Sequence, residues 1–136
     1  MTPARLAREA EALCGTRFRL HGRDPATGLD CIGLLVAAMG RGGQMIAVPS
    51  GYPLRLRELA QWLPDPGACG FAAACEPYRA GDVVMLQPGP AQFHLAIADL
   101  GLGWIHAHAG LRRVVREGAL PAGIVTAHWR LRRTRK

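Results

Sequence analysis

A chain of 136 residues, 49% hydrophobic and 20% charged, fits a single compact domain over residues 1–136 and argues against a disordered chain. The formal charge of +7 and pI near 10.3 suit an acidic partner, but five of the seventeen basic residues sit in the segment RLRRTRK at 130–136, which reads as a basic, frayed end. No nucleic-acid-binding motif accompanies that charge, the apolar run at 32–39 is too short to span a bilayer, and the N-terminal MTPARLAREAEALCG lacks a signal-peptide core. The expectation is therefore no specific nucleic acid, no membrane span, and synthesis in the cytoplasm without a leader.

In chain order, Thr2 and Pro3 form an N-cap and first-turn pair for a helix that carries Leu6, Ala10 and Leu13 on one side, with Gly15 as its stop. The polar segment TRFRLHGRDPATG follows, with Asp24-Pro25 and Thr27-Gly28 as turn signals. Asp30 is a good cap for a second helix through Cys31, Leu34, Leu35 and Ala38, ended by the glycines at 40, 42 and 43. LRLRELAQWL at 54–63 reads as a third, amphipathic helix, and 64–81 as an irregular connection rich in Pro, Gly and Ala. Then the period changes. Segments 82–86, 94–98, 104–109, 112–116 and 126–131 read as strands. Helices first and antiparallel strands afterwards imply an α+β domain, its helices on one face of a sheet of about five strands.

Cys14, Cys31, Cys69 and Cys75 show no metal-binding spacing, so four reduced thiols are expected, most of them buried. Cys31 is the exception in kind, because Asp30-Cys31-Ile32-Gly33 lies at a helix start. Unpaired amides there stabilise a thiolate, and a nearby imidazolium would do so further. The charge of Asp30 opposes this, so the thiol needs a basic partner.

His94 heads the strand HLAIAD, where alternation groups it with Ala96 and Ala98 and sets Leu95 and Ile97 on the other face. Two alanines beside the histidine leave room for an approaching group, such as the start of the Cys31 helix. On the next strand, His106 and His108 share a face. One hairpin register sets His106 across from His94, another sets His108 there, and spacing does not choose between them. The role of such a third group is to orient the His94 imidazole and hold its tautomer.

DCIGLL, GDVVML, HLAIAD and WIHAHAG, in that order and spacing, resemble the NlpC-type papain-like cysteine peptidases. The similarity runs from about Gly15 to Ala109, and VTAHWRL near the C-terminus looks like the phage-associated branch. The resemblance implies a papain-like α+β fold without metal or organic cofactor, Cys31 as nucleophile, His94 as base and His106 as third residue, with His108 the second choice. It also implies cleavage of peptidoglycan stem peptides, tail proteins of a phage, prophage or gene transfer particle as partners, and a place in that particle. Phe18 stands where the family often carries a tyrosine whose hydroxyl helps hold the oxyanion, and Phe18 has no donor. Ile32 and Ala96 replace the usual serine and glycine. Asp30 and His21 are further candidates for orientation or oxyanion contact.

Two readings compete. His94, His106, His108 and Cys31 would make a metal-ligand set, although the sequence shows no carboxylate partner for the imidazoles. Alternatively the domain is a structural tail component in which catalysis is weak or absent, its basic end docking on an acidic neighbour.

Overall fold

The structure, a computed structural model, describes residues 1–45, 70–89 and 92–132. Helix α1 (Pro3–Ala12) begins as its sequence dictates: Thr2 Oγ1 accepts the Arg5 amide at 3.1 Å and proline fills the first turn. It turns Leu6, Ala7 and Ala10 inward. Glu9 ties it to the next helix, accepting from Arg5 at 2.7 Å and from Arg41 at 3.1 Å.

A short hairpin follows, β1 (Arg23–Asp24) and β2 (Gly28–Leu29), within the segment expected to hold only turns. Helix α2 (Cys31–Arg41) opens on Asp30, as expected. It runs through Gly40 before Gly42 caps it, because Gly40 keeps helical geometry.

The remaining elements are β3 (Phe71–Ala73), β4 (Val83–Gln87), β5 (His94–Ala98), β6 (Trp104–His108), β7 (Arg113–Glu117) and β8 (Ile124–Leu131). They form one six-stranded antiparallel sheet in the order β3-β8-β4-β5-β6-β7, one strand more than expected. The added strand is β3, which lies inside the stretch read as irregular. Phe71-Ala72-Ala73 is too short to show alternation, and pairing with residues 129–131 is what makes it a strand. Within the segment 130–136, Arg130 and Leu131 belong to β8 rather than to a frayed end, and 133–136 lie outside the described residues. Arg130 grips buried Asp82 through Nε at 2.7 Å and Nη2 at 2.8 Å, while His128 Nε2 lies 2.6 Å from the same carboxylate. The helix expected at 54–63, and Cys69, lie outside the described residues. Cys14 and Cys75 are exposed, against the expectation that most thiols are buried. Among the described residues no helix is long and apolar enough to cross a membrane.

The sheet separates two apolar clusters. On one face Leu95, Ile97, Ile105 and Val83 meet Leu6 and Ala10 of α1 and Ile32 and Leu34 of α2, so both helices share one face. On the other, Val84, Leu86, Ala96, Ala98 and Trp104 are covered by Tyr78, Leu120 and Val125. The alternation read along 94–98 is thus realised, but the alanines face away from the helices. The room beside them is filled by the Trp104 cluster.

The loop before α2 is pressed onto the helix start. A Cβ placed on Gly33 would stand 1.9 Å from the Gly22 carbonyl oxygen, a backbone atom with little freedom to retreat. Gly33→Ala is therefore expected to destabilise the fold by about 1–3 kcal/mol, the usual range for overpacking. Urea unfolding should show a lowered midpoint with an unchanged slope.

Candidate active site

The site begins with Asp30, which is completely buried. Its Oδ1 accepts the Gly33 amide at 2.7 Å and its Oδ2 the His21 amide at 2.9 Å. Arg23 Nη1 stands 3.5 Å from Oδ1. One carboxylate thereby caps α2 and anchors the preceding turn, in which His21 takes a φ of 62°. Asp30 holds the site in place, with its oxygens on backbone amides. His21 contributes its amide to that anchor and is not among the residues lining the cleft described next.

Cys31, the first residue of α2, is 4% exposed and lies on a cleft of about 440 Å³. Phe18, Asp30, His94, His106 and His108 line the same cleft. The thiol is held against the Leu95, Ile32 and Cys31 backbone amides. Burial pushes its pKa up to about 12, Asp30 adds to the rise, and those three amides oppose it. A helix start alone does not make this thiol a thiolate.

His94 Nε2 and His106 Nδ1 share a hydrogen bond of 2.7 Å, their rings edge to face. The hairpin register pairs Ile97 with Ile105 and Ala98 with Trp104, and by extension sets His108 across from His94. Yet the ring that meets His94 is His106, one step along the diagonal. Diagonal neighbours on an antiparallel pair lie within reach of long side chains, so straight-across pairing was too narrow a criterion. His108 packs against His106 with ring centroids 5.6 Å apart, and its Nδ1 accepts the Leu111 amide at 3.0 Å.

The sequence reading missed Glu117. Its Oε1 lies 2.6 Å from His106 Nε2, so the imidazoles do have a carboxylate partner. This contact is diagonal too, since Glu117 pairs with Trp104 and His106 with Val115. The available signal was the alternation of β7, which puts Glu117 on the face of Val115. Burial, then the neighbouring His106 and His108, push His94 from the ordinary 6.5 down to about 4, with Glu117 opposing. Burial also lowers His106, and Glu117 resists it. Both rings of the hydrogen-bonded pair are therefore set to be neutral near neutral pH. With His106 bonded at both nitrogens and His108 Nδ1 engaged, the histidines are arranged as a hydrogen-bonded chain, which counts against a shared metal site.

No family model and no curated protein matches the chain. Among solved structures it is similar to the NlpC/p60 domain of the peptidoglycan hydrolase SagA, with TM-score 0.59 and 25% identity over 87% of this chain and 90% of that one. It is also similar to NlpC2 from Trichomonas vaginalis, with TM-score 0.66 and 16% identity over 95% of this chain and 46% of that one. NlpC1 from the same organism gives TM-score 0.66 and 18% identity over 96% of this chain and 43% of that one. The chain spans less than half the length of those two. The α+β architecture is that of the papain-like NlpC/p60 fold.

The His94 environment has a consequence for stability. Its folded pKa near 4 lies below the ordinary 6.5, so on acidification the unfolded chain takes up this proton first. The stability carried by neutral His94 is complete above about 6.5 and is lost as pH falls towards 4. Thermal midpoints of the wild type should fall across that window, and the His94→Gln variant should show a flatter profile there.

Proposed function

We propose that this chain is a cysteine peptidase that hydrolyses peptide bonds in peptidoglycan stem peptides, with Cys31 as nucleophile, His94 as base and His106 as the residue that orients it. The carrying observation is that these three side chains line one cleft in an NlpC/p60 fold. His94 takes the thiol proton as Cys31 Sγ attacks the peptide carbonyl. The resulting imidazolium protonates the leaving amine, and water then hydrolyses the thioester with His94 again as base. Because the thiol is pushed up and the imidazole down, the resting pair is neutral, and proton transfer accompanies attack. The Cys31 and Ile32 amides at the start of α2 are the available oxyanion donors.

The resemblance of VTAHWRL to the phage-associated branch supports a place in a phage, prophage or gene transfer particle, with tail proteins as partners. Immunodetection in purified particles tests that placement. Mass analysis of muropeptides released from purified peptidoglycan tests the chemistry. The wild type should release stem-peptide fragments, and Cys31→Ala should release none above background. Equal release by both would remove Cys31 as nucleophile.

A second reading, a tail component with weak or no catalysis, is favoured by Phe18 on the cleft and by the raised thiol pKa. It separates from the first by alkylation with a small electrophile that reaches the cleft. A peptidase thiol assisted by His94 should react faster near neutral pH than exposed Cys14 and Cys75, and should lose that advantage in His94→Ala. Slower labelling of Cys31 than of the exposed thiols would select the structural reading.

A further inference from the structure

The mechanism above assigns no part to the carboxylate bonded to His106. Glu117 Oε1 lies 2.6 Å from His106 Nε2, and His106 Nδ1 lies 2.7 Å from His94 Nε2. The direction of each bond follows from which atoms can donate. An ionised carboxylate only accepts, so His106 Nε2 carries a proton. A neutral His106 then presents a bare Nδ1, and His94 Nε2 must be the donor to it. His94 is left with its lone pair on Nδ1.

We propose that Glu117 is a positioning residue that, acting through His106, holds His94 as the Nε2–H tautomer and keeps Nδ1 open to receive the Cys31 proton. The inference rests on the cysteine-peptidase reading. Without the carboxylate, His106 is free to carry its proton on Nδ1 instead. It then donates to His94 Nε2, the His94 proton moves to Nδ1, and the base is blocked at the nitrogen the thiol needs. Three strands carry the chain: His94 on β5, His106 on β6 and Glu117 on β7. The Glu117 side chain is 47% exposed whereas that of His106 is 5% exposed, so a solvated acid sets the polarity of a buried imidazole pair.

The test compares the full-length wild type, Glu117→Ala and Glu117→Gln on a soluble stem-peptide substrate, with long-range nitrogen-15 spectra of the imidazoles. Gln keeps the size of the side chain but can donate as well as accept, so it no longer dictates which His106 nitrogen carries the proton. In Glu117→Ala, kcat should fall about 10- to 100-fold with KM within about twofold. Its spectra should change from Nε2–H tautomers at His94 and His106 to a mixture. Glu117→Gln should likewise show mixed tautomers and a kcat lowered about 10-fold or more despite its near-identical size, a loss that packing alone would not give. Unchanged tautomers or unchanged kcat in Glu117→Ala, or wild-type tautomers and kcat in Glu117→Gln, would overturn the proposal. If the wild type shows no turnover above Cys31→Ala, the peptidase reading fails by itself, and the spectra still decide whether Glu117 sets the tautomers.

Discussion

The buried carboxylate of Asp30 is the contact on which the site depends. It takes the Gly33 amide at one oxygen and the His21 amide at the other, joining a loop to the first turn of a helix. Removing it would leave two backbone donors without that acceptor, each at a cost of roughly 1–3 kcal/mol where water cannot replace it. The close approach of the Gly22 carbonyl to Gly33 follows from the same anchor, because His21 cannot be drawn to Asp30 unless its neighbour lies against the helix. Cys31 inherits its position from this joint. So does Phe18, which pairs with Leu29 just before Asp30 and lines the same cleft.

The anchor has an electrostatic consequence. A negative charge adjacent in sequence to the thiol opposes its ionisation, and burial opposes it more. The amides at the helix start and at Leu95 act the other way without prevailing. On the base side, burial and the flanking histidines disfavour the imidazolium. The nucleophile and base are thus both placed where charge separation is resisted, so the direction of hydrogen bonds matters more than an ion pair formed in advance. That is why the orientation of His106 carries weight.

Legibility in the sequence followed the range of each signal. Thr2-Pro3 and Asp30 are local cap chemistry, and both helices start where those residues predict. The strand at 94–98 has the predicted bounds because five alternating residues sit between clear turns. The β1–β2 hairpin and β3 were not legible, because strands of two or three residues carry no period and exist only through their partners. His94 and His106 stood out as residue types in a motif. Spacing left His106 and His108 both open as the partner of His94; the register that forms points to His108, while twist and side-chain length bring His106 onto His94. Glu117 was hidden for the same reason. It looks like one acid on a solvated strand until the diagonal across β6 and β7 is known.

The rigidity of this arrangement comes from β5. Leu95 and Ile97 are locked into the cluster with both helices, and Ala96 and Ala98 into the cluster around Trp104, so neither face of the strand is free. The strand supplies His94 from its first residue and a backbone amide against Cys31 from the next. The thiol contact and the base therefore belong to adjacent positions of one buried strand, and their relative placement is inherited from core packing. The small side chains of Ala96 and Ala98 fit this arrangement, since the second cluster closes over β5 with Trp104 and Tyr78 in an edge-to-face pair. A bulkier residue at either position would displace that pair and shift the strand that carries the base, which ties the base to the packing of its own face of the sheet.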